Sequence, residues 1–243
     1  MKRIVGLVLL SFLVIPQAYP QGMVFRRPIT SAGGVGSVPS HVASSGNTAN
    51  TGTTISTALA CTSPDAMLVA VHFHNSTTVT ISSFSDSTGN SWTASPGSPV
   101  RLTSQGTNSW IYRLGACATA THTVTITFSA TITLADICLT EVSGFASAPS
   151  IIAETSATHD GSSSAVDPGS ASFSPAKTNA FIYETSRVDA ATNSGTGYTR
   201  ACGGGDNNQN ETQYKVVSAG TWGASAFTFD NNQWIAQGIA LAD

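Results

Sequence analysis

The strongest constraint on the fold is a period-two alternation of residue types in short runs. In one run, threonines alternate with larger apolar residues in the order Thr123, Val124, Thr125, Ile126, Thr127 and Phe128. In another, Met67, Val69, Val71 and Phe73 alternate with Leu68, Ala70, His72 and His74. Successive side chains of a β-strand point to opposite faces. Both runs are therefore predicted to be strands with one firmly buried face.

Similar short runs recur along the chain and are separated by turn-forming clusters. Further strands are predicted at 53–60, 78–84, 109–114, 132–142, 180–187, 212–217, 225–229 and 233–241. Clusters rich in Pro, Gly, Asn and Asp lie between them, as in residues 86–90 (DSTGN) and 202–210 (CGGGDNNQN). This pattern predicts an all-β antiparallel sandwich, either jelly-roll-like or immunoglobulin-like.

Two stretches of the chain show a weak internal similarity. Residues 58–73 align with residues 170–185, each as a strand, a turn that contains proline and a second strand. The similarity suggests two related halves, about 40–145 and 168–243. They would form either one sandwich, which we favour, or two small ones.

The N-terminus has the pattern of an export signal. Lys2 and Arg3 precede an apolar run at residues 4–15, which is too short to span a bilayer. We expect residues 1–22 to be a signal peptide that is cleaved after Ala18 or Gly22. Residues 23–39 would then be a linker or an N-terminal arm, and residues 40–243 the folded domain of a secreted protein. No later run is apolar enough to predict a membrane span in the mature chain.

Charge and cysteine content narrow the function classes. Only 9% of residues are charged and the net charge is −3, which disfavours nucleic acid as a partner. The four cysteines predict two disulfides in an exported chain. The turn-like contexts of Cys61 and Cys117 favour that pairing, but the sequence allows all three connectivities of the four cysteines, which include Cys138 and Cys202.

Several short strings resemble repeated β-sandwich modules of secreted and cell-surface bacterial proteins. They are SFSDSTGNSW with its D-x-x-G-N turn, WIYRLGA, HTVTITFS, and TEVSG with its E-x-S-G strand end. The resemblance covers residues 40–242. It implies the sandwich fold and leaves the activity open.

The sharpest candidate for metal chemistry is the pair His72 and His74. Their spacing places both imidazoles on one face of a strand, about 6–7 Å apart, which suits a shared Cu or Zn ion if other ligands are near. Further ligands could come from His122, His41, His159 or Asp160. The alternative is that both histidines lie on a solvated face near a strand end.

The candidate catalytic residues are Glu141 and Glu184, because each interrupts an apolar strand. Two carboxylates that converge would suit a glycosidase. The alternative is that each forms a structural ion pair with Arg113, Lys215 or Arg187. The chain has no G-x-S-x-G motif that would indicate an α/β-hydrolase.

Two loop clusters offer oxygen ligands for Ca²⁺. They are Asp86, Thr88 and Asn90 in the first loop, and Asp206, Asn207 and Asn208 in the second. Hydrogen bonds of an Asx turn would explain the same residues without an ion.

Aromatic side chains supply a binding hypothesis. Trp222 and Tyr198 lie in glycine-rich turns and are the predicted ligand-binding residues, whereas the other tryptophans suit a core. The sequence favours a secreted, non-catalytic binding or adhesion protein for an extracellular glycan or another cell-surface component. The alternatives are a secreted glycan-active or metal-dependent enzyme and a self-assembling structural subunit.

Overall fold

The computed structural model describes most of the chain from residue 38 onward. The described stretches are 38–62, 65–74, 78–166, 171–172, 179–188, 192–203, 210–218, 221–222 and 227–243. Only the backbone is described at 161–166, 171–172, 188, 192–193, 218, 221–222 and 227–232. The predicted signal peptide and nearly all of the predicted linker therefore lie outside the described residues.

The described chain consists of strands joined by turns. The strands are β1 (Ser40–Ala49), β2 (Gly52–Ala60), β3 (Ala66–His74), β4 (Ile81–Asp86), β5 (Thr93–Ala94), β6 (Val100–Leu102), β7 (Thr107–Leu114), β8 (Thr121–Ile132), β9 (Leu134–Ser143), β10 (Ser150–Val166), β11 (Ala171–Ser172), β12 (Asn179–Val188), β13 (Thr192–Asn193), β14 (Thr199–Gly203), β15 (Asn210–Ser218), β16 (Thr221–Trp222) and β17 (Phe227–Ala242). No helix occurs among the described residues, so none there could cross a membrane.

The strands form three main antiparallel sheets. The front sheet has the order β2-β8-β4, and the middle sheet has the order β1-β9-β3-β7-β5, with β6 also paired to β7. The back sheet has the order β10-β17-β12-β15-β14, with β13 paired to β17. A separate two-stranded pair joins β11 to β16. All described residues belong to one compact unit, Gly34–Asp243.

Two apolar cores arrange these sheets in three layers. The core between the front and middle sheets includes Val69, Val71, Val124 and Ile126. The core between the middle and back sheets includes Leu68, Ala70, Phe181, Tyr183 and Ile239. Strand β3 contributes alternate residues to both cores and is buried along nearly its whole length. The sequence of a strand that is covered on both faces is typically a continuous apolar run, and the sequence of β3 has this form.

Two disulfides bridge the described structure. Cys61 pairs with Cys117, as the sequence favoured, and Cys138 pairs with Cys202. The second bridge connects β9 of the middle sheet with β14 of the back sheet. Gly46 lies opposite Cys138 on β1, and a Cβ at Gly46 would lie 3.4 Å from the Cys202 sulfur. The small residue therefore leaves room for the bridge.

The E-x-S-G string ends in a glycine for a local steric reason. Gly144 follows β9 with a φ of +87°, which an L side chain rarely adopts. A Cβ on this residue would lie 2.5 Å from the Val38 carbonyl oxygen. The chain can therefore leave β9 beside the start of β1 only without a side chain at position 144.

The expectation of an all-β antiparallel sandwich is confirmed, and the structure adds a third layer. Strands β1 and β10 were not predicted, because their sequences are polar and lack a clear alternation. The predicted strands at 225–229 and 233–241 are parts of one long strand, β17. The two proposed halves contribute differently, since residues 40–143 form the front and middle sheets and residues 150–242 form the back sheet and the β11–β16 pair. The internal duplication stays a prediction.

Candidate functional site

The outward side of the front sheet carries a regular array of small hydroxyl side chains, which we call the hydroxyl face. Its inward residues, such as Val124 and Ile126, fill the front core, so the alternate residues face away from the protein. The outward residues are Thr54, Ser56, Ala58 and Ala60 of β2, Thr121, Thr123, Thr125, Thr127 and Ser129 of β8, and Ser83 and Ser85 of β4. The alternating threonines of the sequence therefore lie together on the outward side of the front sheet.

Strand register aligns these hydroxyls in rows. Thr54 lies opposite Thr127, which lies opposite Ser83. The next row repeats the pattern with Ser56, Thr125 and Ser85. Neighbouring strands are about 4.8 Å apart, and residues two apart on one strand are about 6.7 Å apart. The face therefore presents hydroxyls on a two-dimensional grid and carries no charged side chain at its outward positions.

The DSTGN turn at one end of the front sheet is closed by internal hydrogen bonds. Asp86 Oδ1 accepts from the backbone N–H and the hydroxyl of Thr88, at 3.0 and 2.9 Å. Asp86 Oδ2 accepts from Trp92 Nε1 at 2.9 Å and lies 2.8 Å from His122 Nδ1. The Asn90 side-chain amide donates to the Thr88 hydroxyl at 2.8 Å. Protein donors thus occupy both carboxylate oxygens, which favours the Asx-turn interpretation over Ca²⁺. The second candidate calcium cluster, at 206–208, lies outside the described residues.

The donors around Asp86 also set its ionisation. Burial acts to raise the pKa of Asp86, but the hydrogen bonds from Thr88, His122 and Trp92 together outweigh burial and lower the pKa below its usual value. The carboxylate is therefore charged, which strengthens each of these bonds.

Replacing this carboxylate tests its structural role. We expect Asp86→Asn to lower the free energy of unfolding by about 2 kcal/mol, because an amide nitrogen would face the Trp92 and His122 donors. Urea unfolding monitored by tryptophan fluorescence measures the change. Asp160→Asn, at an exposed site, is the matched control and should stay within about 0.5 kcal/mol of wild type. A loss no larger than that of the control would contradict the role of Asp86.

The structure joins two of the predicted site residues, Glu184 and Tyr198. The Tyr198 hydroxyl donates to Glu184 Oε1 at 3.0 Å, and Gln213 Nε2 donates to Glu184 Oε2 at 2.6 Å. Glu184 is fully buried on the side of the back sheet that faces away from the middle sheet. Lys215 lies 5.4 Å above the centre of the half-buried Tyr198 ring. Both oxygens of Glu184 are thus held by protein donors.

A second buried acid, Glu211, was missed by the sequence reasoning. It lies on β15 opposite Ser186, two residues from Gln213, which lies opposite Glu184. Glu211 accepts a hydrogen bond from Ser194 and pairs with Arg200, whose Nε lies 2.8 Å from Oε2. Burial raises the pKa of Glu211, while Ser194 and Arg200 oppose the rise. Residues 194–198 therefore lie against two buried carboxylates. The sequence around Glu211 is polar, so nothing in it predicted that this residue is buried.

Glu141 lies elsewhere. Its side chain points from β9 toward the front sheet, and its Oε1 accepts from the backbone N–H of Thr62 at 2.7 Å and from the Thr62 hydroxyl at 3.0 Å. Glu184 points away on the far side of the back sheet. Packed sheets are about 10 Å apart, whereas glycosidase carboxylates are about 5–9.5 Å apart. The structure therefore does not bring Glu141 and Glu184 together.

The histidine pair does not acquire further ligands among the described side chains. His72 is buried between the middle and back sheets, with Nε2 2.5 Å from the Thr185 hydroxyl. Burial, and then the nearby Arg187, lowers the pKa of His72 to about 3. His74 Nδ1 lies 3.1 Å from the Thr107 hydroxyl. The neighbouring arginine disfavours a cation at His72.

The other predicted metal ligands have separate partners. His41 stacks on Tyr214 with ring centres 4.4 Å apart, and His159 stacks on Trp234 at 5.7 Å. His122 is bound to Asp86. Asp160 accepts a hydrogen bond from Gln233. None of these residues forms a three-ligand group with His72 or His74 in the described part of the chain.

Aromatic rings are mostly packed rather than displayed. Trp92 and Trp110 lie against the front core, and Trp234 is buried. The side chain of Trp222 lies outside the described residues. Among the described side chains, the exposed large apolar ones are Val38 and Val42. The described surface therefore offers hydroxyls more than rings for contact.

No family model, curated protein or solved structure matches this chain.

Proposed function

We propose that this protein is an exported, non-catalytic binding module that attaches to a neutral extracellular glycan through the hydroxyl face. The observation that carries the proposal is the uncharged grid of threonine and serine hydroxyls on the front sheet. Each hydroxyl both donates and accepts, as sugar hydroxyls do. Because neither the glycan nor the hydroxyl face is charged, binding does not require the desolvation of any ionic group.

Two further features support binding rather than hydrolysis, and a third supports export. The oxygens of Glu184 are occupied by Tyr198 and Gln213. Glu141 is enclosed between two sheets and hydrogen-bonded to Thr62. The two disulfides suit an oxidising compartment, which agrees with the export signal expected at residues 1–22.

A pair of lysines placed in the hydroxyl face tests the proposal. We expect Thr123→Lys/Thr125→Lys to weaken binding to insoluble neutral polysaccharides, such as chitin or cellulose, at least tenfold, which corresponds to about 1.4 kcal/mol. The long charged chains would cover the grid and would have to be desolvated. Sedimentation of the protein with the polysaccharide, followed over a concentration series, measures the affinity.

The matched control is Ser156→Lys/Thr158→Lys, at exposed positions of β10 in the back sheet. It adds the same charge and should leave binding unchanged. Equal binding by both double variants would remove the hydroxyl face from the site. Failure of the wild-type chain to bind any neutral polysaccharide would overturn the proposed function itself.

A further inference from the structure

The hydroxyl face extends in two directions, which limits the shape of ligand that can use all of it. Along β8, hydroxyl side chains occupy every second position from Thr121 to Ser129. Across the sheet, the two rows described above run from β2 over β8 to β4. A ligand that follows a single line of hydroxyls would leave the neighbouring lines without a partner.

The hydroxyls of this face are largely unengaged among the described residues. No hydrogen bond there uses the hydroxyl of Thr123, Thr125 or Thr127. In the two rows, the Ser85 hydroxyl donates to the Thr125 carbonyl oxygen at a long 3.4 Å. Threonine is branched at Cβ and has few rotamers, and Thr125 and Thr127 are also half-buried between their neighbours. These side chains therefore lose little conformational freedom when a ligand binds.

The face has no wall or aromatic platform that would hold one sugar chain. Its outward positions on the three strands carry threonine, serine and alanine, all of them small. The aromatic residues of this sheet and its flanking turns, such as Phe84 and Trp92, pack against the front core. Sites that enclose a small ligand are concave and lined largely by apolar or aromatic side chains. An open grid of small hydroxyls instead matches a ligand that is itself a broad surface.

The size of the face limits how strongly it can hold a partner. Two interstrand spacings and four two-residue steps give roughly 10 Å by 27 Å, or about 270 Å². A twist of about 20–25° between neighbouring strands makes this area an upper limit for contact with a flat surface. A stable protein complex buries roughly 800 Å² on each partner, so the face is too small to hold a second copy of this chain.

We propose that the hydroxyl face recognises the ordered surface of a solid, linear, neutral polysaccharide, whose neighbouring chains it contacts side by side. This inference rests on the proposed function and names its ligand class. Chains packed in parallel present hydroxyls at regular intervals in two directions, as the face does. A single soluble chain can meet only part of so small an area. In a solid, by contrast, the first contact raises the effective concentration of the neighbouring chains for the next.

Binding of the unaltered full chain to one polysaccharide in three physical states tests the inference. The probes are crystalline cellulose, the same cellulose swollen to an amorphous gel, and soluble cellohexaose, with the corresponding three forms of chitin as a second set. We expect the Kd for a crystalline polymer to be about tenfold or more below that for its amorphous form, compared per unit of accessible surface. A large excess of the hexasaccharide should not displace the protein from the crystals.

The outcomes of this comparison separate the inference from the proposed function. Equal affinity for the crystalline and amorphous forms, or displacement by the hexasaccharide, would overturn the inference and leave glycan binding intact. Absence of binding to every form of both polymers would overturn the proposed function as well.

Valine substitutions test whether the hydroxyls make the contact. Thr123→Val/Thr125→Val/Thr127→Val keeps the side-chain shape and a residue type favoured in strands, but removes the hydroxyls. We expect it to weaken binding to the crystalline polymer about tenfold or more. The matched control, Thr158→Val/Thr199→Val, lies at exposed positions of the back sheet and should bind like the wild type. Equal binding by the two variants would contradict the proposed contact.

A second variant tests whether neighbouring chains are contacted together. Thr54→Val/Ser83→Ala removes the β2 and β4 hydroxyls of one row and leaves those of β8 complete. Binding to the crystalline polymer should weaken by about threefold or more, because the chains beside the central one lose their partners. A thermal melt followed by circular dichroism verifies that each variant is folded. Unchanged binding by the folded variant would show that a single chain along β8 makes the contact and would overturn the inference.

Discussion

Removal of the Cys138–Cys202 bridge by a double alanine substitution is expected to lower the melting temperature by roughly 10 °C. The bridge joins residues 64 apart in the sequence. In the chain-entropy account, closing a loop of that length stabilises the fold by about 4 kcal/mol. For a domain of this size, each kcal/mol changes the melting temperature by about 2–4 °C. Scanning calorimetry measures the shift.

The location of the bridge predicts which strands lose stability when it is removed. It ties β9 of the middle sheet to β14, which is the last strand in the order of the back sheet. Amide hydrogen exchange should therefore accelerate in β14 and β15. Cys61→Ala/Cys117→Ala, which removes a bridge of similar span, is the control and should leave exchange in these two strands unchanged. Uniform acceleration in both variants would contradict this local role.

Substitution of Arg187 by methionine is expected to lower the free energy of unfolding by about 3–5 kcal/mol. Arg187 is 3% exposed between the middle and back sheets, and its NH1 lies 3.3 Å from Asp136 Oδ2. The Asn210 side chain bonds to both residues, and the Thr48 hydroxyl donates to Asp136 at 2.7 Å. Loss of Arg187 leaves the largely buried Asp136 carboxylate without its opposite charge, and the hydrogen bonds from Thr48 and Asn210 replace that charge only in part.

The pKa of Asp136 predicts the effect of a second substitution, Asp136→Asn, in the protein that carries Arg187→Met. Burial raises the pKa of Asp136, and the charge of Arg187 is among the interactions that oppose the rise. Without Arg187 the carboxylate becomes more costly to bury. Asp136→Asn in the Arg187→Met background should therefore recover about 1–3 kcal/mol, a coupling that urea unfolding of the full double-mutant cycle measures. Strictly additive losses would show that the pair does not interact.

Much of the local structure could be predicted because it depends on alternation along single strands. The Thr123–Val124–Thr125–Ile126 pattern specifies which side chains turn inward, so the polar side of β8 was implicit in the sequence. The run from Met67 to Phe73 is apolar at every position, which agrees with a strand that is buried on both faces. Its second covering sheet was nevertheless not predicted, since continuous burial does not say what lies on either side.

The candidate sites depended on contacts between distant segments. Glu184 interrupts an apolar strand in the same way as Glu141, yet its neighbours are Tyr198, Gln213 and, on the next strand, Glu211. Strand order brings these residues together, and alternation carries no information about strand order. Polar edge strands such as β1 escaped prediction for a related reason: their backbone pairing stabilises them more than any apolar pattern of their own.

The amino-acid sequence by itself determined the all-β class and the faces of the central strands, whereas the export signal expected at residues 1–22 stays a prediction. These depend on side-chain periodicity and composition, which are local properties. Only the tertiary structure decided that three sheets stack, that the hydroxyls of three strands form one grid and that Tyr198 and Gln213 meet at Glu184. Each of these depends on which strands pair and in what register, and that choice is made by the packing of the whole chain.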